Sequence, residues 1–255
     1  MKKMLLTVAG FDPSGGAGLI LDLQVFRSLG FQGSAVVTTL TSQNSQKVFE
    51  VRPLAAPFIL SQYRVLKKDF SWQGLKIGLV GHRSLLPAIK EILEDQADRP
   101  RVIDPVFRSS SGTWFLERQD IPAFLKAISE RATVITPNIP EASLITGIKI
   151  RSVSDMERAA RKIYEMTGMA CVLKGGHRRG KIFDLLYTGK IIRLVERERL
   201  PVKVHGTGCL FSASLLAYLV LFQDLEKAWL ASLRFTRRAI KKAFGPRRKR
   251  AIFSF

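Results

Sequence analysis

Short apolar segments alternate with amphipathic ones along this chain, and no other feature of the sequence constrains its fold as strongly. The apolar segments carry few charges, and helical periodicity or a proline follows each of them. Strands that are apolar throughout have both faces covered, which is typical of a parallel sheet between helices. The sequence therefore predicts an α/β protein, with the strands at Leu5–Ala9, Ser34–Thr41, Leu75–Val80, Arg101–Asp104, Thr133–Thr136 and Ala170–Lys174.

Helical spacing recurs between these strands. Leu19, Leu23, Phe26 and Leu29 fall on one face of a helix. No linker, composition break or internal repeat divides residues 1–255, so we predict one domain with a basic C-terminal end from about residue 234. The other predicted helices are 57–68, 84–95, 120–130, 155–167 (capping box Ser154 with Glu157) and two at the end, after a hairpin of Phe183–Tyr187 and Ile191–Val195.

Composition indicates a globular protein of a reducing compartment. Hydrophobic residues make up 46% of the 255 positions and charged residues 24%. The two cysteines, Cys171 and Cys209, provide no disulfide framework. The apolar start of the chain stops at Gly10, too early for a signal peptide, and Phe211–Phe222 is too short to span a bilayer. We expect a cytoplasmic protein without a membrane partner.

The formal net charge of +20 is concentrated near the C-terminus. One interpretation is a solvated helix face followed by a basic tail; another is a positive field that attracts phosphorylated substrates or contacts nucleic acid. No helix-turn-helix, zinc-finger or RNP signature accompanies the charge, and we do not expect a nucleic-acid partner. The residues concerned are Arg234, Arg237, Arg238, Lys241 and Lys242, then Arg247-Arg248-Lys249-Arg250.

A glycine-spaced turn, Val204–Cys209, runs directly into an apolar helix. The first N–H groups of a helix lack intrahelical partners and lie at the positive end of its dipole, so they bind anions, phosphate above all. Gly206 and Gly208 let a ligand approach the backbone, and Cys209 falls in the first turn. The alternative is a loop that caps a core helix, with Cys209 as a small buried apolar residue.

Polar residues follow the predicted strands at their carboxyl ends, where open α/β sheets bind ligands. Their convergence predicts a small-molecule site. Purely structural roles stay open for some of them: Asp104 or Asn138 capping a turn, and Asp22 as an exposed helix residue. The residues at the strand ends are Gly10, Asp12, Gln43, Asp104, Asn138 and Lys174.

Two patterns imitate other sites. Residues 175–181 match most of a Walker A loop, but Ile182 stands where Ser or Thr holds magnesium, and a strand follows. His205 and Cys209 have the spacing of a metal pair, yet no second pair supports them. We expect neither site.

Eight blocks, in order, resemble the hydroxymethylpyrimidine and hydroxymethylpyrimidine-phosphate kinases. These enzymes of thiamine biosynthesis belong to the ribokinase-like superfamily, a three-layer α/β/α fold with a mainly parallel central sheet. The resemblance covers nearly the whole chain. Its blocks are Val8–Gly10, Asp12–Gly18 with Asp22, Thr41–Asn44, Lys76–Leu79, Asp104–Val106, Thr136–Ala142, Leu173–His177 and His205–Cys209.

The resemblance implies a kinase that uses ATP and Mg²⁺ to phosphorylate 4-amino-5-hydroxymethyl-2-methylpyrimidine and then its monophosphate, to the diphosphate, and that forms a homodimer. It also assigns roles to matching positions. Pyrimidine contacts would come from Gly10, Ala17, Asp22, Gln43, Leu79, Val106 and Cys209; ATP contacts from Lys174, Asn138 and Gly208; magnesium contacts from Asp104 and Glu141; and catalysis from Gly206, Thr207, Gly208, Cys209 and Lys174.

The Cys209 thiol takes a place at which related enzymes carry an aspartate base. A helix N-terminus contributes roughly 0.3–1 kcal/mol, which is less than one pKa unit of about 1.4 kcal/mol. From a free value of about 8.5, the thiol would stay mostly protonated at neutral pH. We therefore expect the backbone anion hole to matter more than Cys209.

Four positions depart from the family pattern: Phe11, Ile20, Leu21 and Leu210. Phe11 follows the first strand where a small Ser or Thr is usual, so it bears on which heterocycle is accepted. Two alternatives to the pyrimidine kinase stay open. One is a pyridoxine or pyridoxal kinase of the same fold, and the other is a catalytically idle protein that binds a ligand or nucleic acid as a regulator.

Overall fold

A single sheet forms the centre of the computed structural model, which describes residues 3–44, 46–175, 181–202, 204–243 and 253. Within these residues the sheet has nine strands. They are β1 (Met4–Phe11), β2 (Gln32–Gln43), β3 (Val48–Pro53), β4 (Leu75–Ile77), β5 (Arg101–Ile103), β6 (Val134–Ile135), β7 (Ala170–Leu173), β8 (Ile182–Tyr187) and β9 (Ile192–Arg197).

The strand order is β3-β2-β1-β4-β5-β6-β7-β8-β9. The strands from β2 to β7 in this order are parallel, whereas β3, β8 and β9 are antiparallel to their neighbours. In the middle of the sheet Val8 lies opposite both Val36 and Ile77. The parallel strands all end at one edge, as the sequence predicted, and the α/β prediction is confirmed.

Helices cover both faces of the sheet. Ile59, Ile89 and Phe124 belong to the core on one face, and Val25 and Trp229 to the core on the other. No described helix is long and apolar enough to cross a membrane. The helices are α1 (Gly18–Ser28), α2 (Ala56–Asp69), α3 (Leu86–Asp95), α4 (Ile121–Ile128), α5 (Ile139–Thr146), α6 (Val153–Thr167), α7 (Thr207–Phe222) and α8 (Leu225–Lys242).

The basic face of α8 forms as predicted, with Arg234 and Arg238 exposed while Leu233 and Ala239 are buried. The basic run 247–250 lies outside the described residues.

The structure corrects the sequence prediction at three places. Helix α6 is capped by Ser152, which exchanges hydrogen bonds with Asp155 in a capping box, and not by Ser154 with Glu157. Strand β3 was not predicted, because its side chains are mostly exposed and its apolar signal is weak. Helix α5 was missed as well, since it has only eight residues and Pro137 and Pro140 flank its start.

Candidate active site

A cleft of about 1280 Å³ lies along the edge where the parallel strands end. The structure brings together all the predicted site residues along this cleft except Asp22. The strand-end residues therefore lie along one cleft, and their individual roles stay predictions. The predicted residues that line the cleft are Gly10, Ala17, Gln43, Leu79, Asp104, Val106, Asn138, Glu141, Lys174, Gly206, Thr207, Gly208 and Cys209.

The turn before α7 points its backbone into this cleft. Gly206 is the N-cap of α7 and has a φ of 78°, a left-handed conformation that favours glycine. A Cβ at Gly206 would lie 1.9 Å from the carbonyl oxygen of Gly16, so the two glycine loops pack backbone to backbone. No side chain caps this N-terminus, which leaves its first N–H groups directed at the cleft.

Lys174 and Asp104 form an ion pair beside that helix terminus. Lys174 Nζ donates to Asp104 Oδ1 at 2.9 Å, and Asp104 Oδ2 accepts from Ser212 Oγ of α7 at 3.1 Å. Burial opposes ionisation, but Lys174 and Lys76 hold the pKa of the Asp104 carboxyl below its ordinary value. A Cβ at Gly208 would lie 3.5 Å from Lys174 Nζ. The ammonium group, the carboxylate and the helix N-terminus therefore face one small volume, which suits a phosphate.

Asn138 and Glu141 cap α5 reciprocally. The Asn138 side chain accepts from Glu141 N at 2.9 Å, and Glu141 Oε2 accepts from Asn138 N at 2.8 Å. A structural role for Asn138 is thus present, although the residue also lines the cleft. Burial raises the pKa of Glu141 to about 8, and Lys174 only partly opposes this. A buried carboxyl with so high a pKa would be stabilised in its ionised form by a further cation.

Asp104 and Glu141 present oxygen donors to the same cleft, and oxygen is the ligand type that Mg²⁺ prefers. The described residues contain no cluster of three or more His, Cys, Asp or Glu that would enclose a metal alone. Magnesium is commonly held by one or two carboxylates together with water and substrate phosphates. The residues present fit that mode of binding.

Cys209 lies in the first turn of α7 and lines the cleft. Burial raises the pKa of its thiol to about 12, although the positive charge of Lys76 opposes this. The direction agrees with the expectation that the thiol is protonated at neutral pH. Such a thiol can orient a hydroxyl group or accept its proton late, but it is a weak base before transfer begins.

Another part of the cleft is lined by residues that follow β1 and β2 and by apolar side chains. A Cβ at Gly10 would lie 2.5 Å from Leu79 Cδ2, so the absence of a side chain at Gly10 makes room for Leu79. Phe11 and Val106 also line this part of the cleft, together with the polar side chain of Gln43. Apolar side chains beside polar ones suit a small heterocycle.

Asp22 lies away from the lining of the cleft. It is fully buried, accepts from Thr7 Oγ1 at 2.6 Å, and accepts from Lys76 Nζ at 2.8 Å on both oxygens. The exposed-helix alternative for Asp22 is therefore wrong. Its predicted pyrimidine contact stays a prediction, while Lys76 does line the cleft.

Of the four departures from the family pattern, Phe11 alone lines the described part of the cleft. Leu21 and Leu210 are fully buried in the core around α1 and α7. Among the four departures, Phe11 is therefore the residue placed to affect which substrate binds.

The sequence interpretation did not name Lys76, Asp184 or Arg197 as site residues, and it missed the contact between His205 and Asp12. His205 Nε2 lies 3.0 Å from Asp12 Oδ2, which joins two segments 193 residues apart. Asp184 of β8 accepts from Gly175 N at 3.0 Å and pairs with Arg197 of β9, which supports the backbone just after Lys174. Lys76 could have been found from the sequence, because a lysine inside an apolar strand is unusual. The contacts of His205 and Asp184 left no local signal in the sequence.

The residues that imitated a Walker A loop fall largely outside the described part of the chain, at 176–180. Ile182 begins a strand, β8, as the sequence indicated.

Comparisons with known proteins agree with this geometry. A family model described as phosphomethylpyrimidine kinase matches residues 12–252. A hydroxymethylpyrimidine/phosphomethylpyrimidine kinase of Aquifex aeolicus is 35% identical over 240 residues, which cover 93% of this chain and 94% of that protein.

Two solved structures show the same architecture. The pyridoxal kinase of Staphylococcus aureus in complex with pyridoxal has a TM-score of 0.90 at 27% identity, covering 100% of this chain and 93% of its own. The phosphomethylpyrimidine kinase of Clostridium difficile 630 has a TM-score of 0.82 at 34% identity, covering 94% of this chain and 100% of its own.

Proposed function

The chain belongs to the phosphomethylpyrimidine kinase family, and on that premise we propose that it transfers phosphate from ATP to 4-amino-5-hydroxymethyl-2-methylpyrimidine and then to the monophosphate. The proposal rests on one observation, which is that a group of residues suited to binding phosphate and a second group of residues suited to binding a ring line the same cleft. Lys174, Asp104 and the N-terminus of α7 form the first group. Gly10, Leu79 and Val106 belong to the second.

The first group of residues provides the positioning and the charge stabilisation on which phosphoryl transfer depends. The backbone N–H groups of residues 207–209 would hold the transferred phosphoryl group, and Lys174 would neutralise its oxygens. Cys209 sits at the helix end, where its thiol would orient the acceptor oxygen. Bound magnesium, held by Asp104 and Glu141 with water, would neutralise charge on the ATP phosphates.

The proposed ATP site extends along α8. Leu233, Thr236 and Ile240 line the cleft there, beside Leu200 and Val202 of the preceding segment. Apolar side chains of this kind suit the flat face of a nucleobase. The pyridoxal kinase of Staphylococcus aureus has also been solved in complex with ADP, at a TM-score of 0.90 to this chain.

A second candidate function, phosphorylation of pyridoxal, is favoured by one structural comparison. The pyridoxal kinase of Staphylococcus aureus has a higher TM-score to this chain than the phosphomethylpyrimidine kinase of Clostridium difficile, 0.90 against 0.82. Phe11, which also lines the cleft, would stack on either heterocycle. The sequence identity runs the other way, at 27% against 34%, so the pyrimidine remains the proposed substrate.

The experiment that tests this proposal is ATP-dependent turnover of the hydroxymethylpyrimidine beside pyridoxal, with products separated by mass. We expect a pyrimidine diphosphate. Pyridoxal phosphate as the sole product would move the function to the second candidate. Absence of turnover with both substrates would favour the idle, ligand-binding alternative.

We propose in addition that residues 1–255 act as one domain and that the protein is a cytoplasmic homodimer. The continuous sheet supports a single domain. Phe49 of β3 and Phe58 and Val65 of α2 are each more than half exposed, and a partner subunit would cover such apolar groups. Light scattering coupled to size-exclusion chromatography would measure the mass, and a monomer mass at micromolar concentration would contradict the dimer.

A further inference from the structure

Lys174 follows β7 directly, and its backbone is held on the side of β6. Lys174 N donates to the carbonyl oxygen of Pro137 at 2.8 Å, and Lys174 pairs with Asn138 in a parallel bridge. The side chain then reaches Asp104, since Lys174 Nζ donates to Asp104 Oδ1 at 2.9 Å. The position of the ammonium group therefore depends on where the chain is held beyond the end of β7.

The same segment is held on its other side by a side chain of β8. The pairing of β7 with β8 ends at Leu173, which lies opposite Leu185. Two residues further on, Gly175 N donates to Asp184 Oδ1 at 3.0 Å. A Cβ at Gly175 would lie 1.7 Å from the carbonyl oxygen of Phe183, so the chain runs directly against β8 at a place that has no room for a side chain. The carboxylate therefore fixes the chain immediately after the lysine.

Asp184 is itself held firmly enough to serve as an anchor. Its side chain is 1% exposed, and its Oδ2 accepts from both Nε and Nη2 of Arg197. Arg197 ends β9 opposite Ile182, so the pair crosses diagonally between two neighbouring strands. Burial raises the pKa of the Asp184 carboxyl, and the charge of Arg197 and the Gly175 N–H oppose this shift. Each carboxylate oxygen thus has its own donor, Gly175 N for Oδ1 and Arg197 for Oδ2.

These contacts give Asp184 an indirect role in the site. It lines the cleft, but both of its oxygens accept from protein donors, and its charge would repel the phosphate groups of ATP. It can act on the transferred phosphoryl group through the lysine that precedes its backbone contact. Such an effect can be large, because a displacement of about 1 Å at a reacting centre can lower a rate roughly 10²-fold.

We propose that Asp184 is a positioning residue, which through the Gly175 N–H fixes the chain so that the Lys174 ammonium group stays beside the N-terminus of α7. Arg197 in turn holds Asp184. The proposal rests on the proposed function, in which Lys174 stabilises the phosphoryl group during its transfer. A lysine side chain is flexible, so ATP binding should tolerate a shift of the chain. The transition state requires one geometry, and kcat should therefore respond more strongly than KM.

The test uses two double variants, both of which remove the ion pair. The amide pair, Asp184→Asn with Arg197→Gln, keeps a side-chain oxygen for the Gly175 N–H, and the asparagine amide can donate to the glutamine oxygen. The apolar pair, Asp184→Leu with Arg197→Met, removes the acceptor and fills the space with groups of similar size. Urea denaturation shows whether each variant is folded under the assay conditions.

The kinetics are measured with ATP and 4-amino-5-hydroxymethyl-2-methylpyrimidine, each varied to saturation. We expect the amide pair to keep kcat within about threefold of the wild type, and the apolar pair to lower it about 10–10²-fold. Both KM values should change less than about threefold in either variant. An ion pair with only a structural role would affect the two double variants alike, so equal kcat values would overturn the proposal.

A second measurement asks whether the effect passes through Lys174. In a Lys174→Met background the ammonium group is absent, so introducing the apolar pair should lower kcat by no more than about twofold. A further loss as large as in the wild-type background would mean that Asp184 acts on another part of the site, which would overturn the proposal.

Single variants replace the apolar pair if it does not fold. Asp184→Asn keeps an acceptor for the Gly175 N–H, whereas Asp184→Ala removes it and leaves room for water beside Arg197, whose side chain is 20% exposed. We expect kcat of the alanine variant to lie about tenfold below that of the asparagine variant. Equal values would again overturn the proposal.

The outcomes separate this inference from the function on which it rests. A wild type that does not phosphorylate the pyrimidine contradicts the proposed function. A wild type that does so, together with a Lys174→Met variant of nearly full activity, contradicts the proposed role of Lys174. An impaired Lys174→Met variant together with equal kcat values for the amide pair and the apolar pair contradicts only the role of Asp184.

Discussion

Two lysine–aspartate ion pairs lie within the same fold, and they differ in how far their side chains are exposed. Lys76 and Asp22 are joined at 2.8 Å with both side chains 0% exposed. Lys174 and Asp104 are joined at 2.9 Å with side chains 14% and 3% exposed. The two N–O distances are almost equal, so they do not distinguish the pairs, but the surroundings do. We call the fully buried Lys76–Asp22 pair the sealed pair and the partly exposed Lys174–Asp104 pair the open pair.

The surroundings indicate a different role for each pair. In the sealed pair each charge depends on the other, since Thr7 is the only further hydrogen-bond partner of Asp22 in the described structure. In the open pair Asp104 also accepts from Ser212 and lies near Thr136, and Lys174 faces the helix N-terminus. The sealed pair should therefore govern stability, and the open pair catalysis.

Gly208→Val should have the largest effect on catalysis. A Cβ at Gly208 would already lie 3.5 Å from Lys174 Nζ and 3.8 Å from Asp104 Oδ2, and the added methyl groups would fill the place of the phosphoryl group. We expect kcat/KM to fall about 10³-fold or more, beyond the loss of one anion-hole donor. Steady-state kinetics measure it, and Gly208→Ala, whose Cβ contacts are ordinary, should lie between the variant and the wild type.

Lys174→Met tests the open pair directly. Removing the charge that faces the phosphate should lower kcat/KM about 10²–10³-fold, while the free energy of unfolding falls by about 1–2 kcal/mol because Asp104 keeps Ser212 as a donor. Urea denaturation beside the kinetics measures both. If this variant is nearly fully active, or if it loses mainly stability, the open pair does not serve catalysis as we expect.

Asp22→Ala tests the sealed pair. It leaves the Lys76 ammonium buried without its partner, so the free energy of unfolding should fall by about 3–5 kcal/mol. The double variant Lys76→Met with Asp22→Leu replaces both charges by apolar groups and should recover most of that loss. Urea denaturation checks both; a single variant that loses less than about 1 kcal/mol would show that the pair is not needed for folding.

Cys209→Ala should have the smallest effect of the four. With burial raising the pKa of the thiol to about 12, the wild-type group stays protonated at neutral pH and its loss should lower kcat only about tenfold. Because a raised pKa places the ionisation above the working range, the shape of the kcat profile between about pH 6 and pH 9 should be the same in both proteins. Inactivation as complete as in Gly208→Val would reverse this ranking.

Much of the fold could be predicted because its signals are local. The central strands are short and apolar, and Gly168 ends α6 in a left-handed conformation as its position indicated. Strand β3 carried no such signal, since Phe49 and Glu50 are exposed. For α6, two overlapping capping patterns were present, and only the packing of the helix decided that Ser152, not Ser154, begins it.

The site was predictable to a similar depth. Polar residues at strand ends share one edge in any parallel sheet, so Gln43, Asp104 and Lys174 were bound to converge. Their partners were not predictable, because hydrogen bonds such as His205 to Asp12 join residues far apart in the chain.

The sequence by itself determined the alternation of strands and helices, the edge at which the site forms, and the glycine turn that leaves a helix N-terminus open. Each of these follows from backbone conformation and side-chain polarity over a few neighbouring residues. The tertiary structure alone decided which charges are paired and which face the cleft. Burial and partner are properties of the folded chain. They bury the Lys76–Asp22 pair completely, whereas the Lys174 side chain keeps part of its surface exposed.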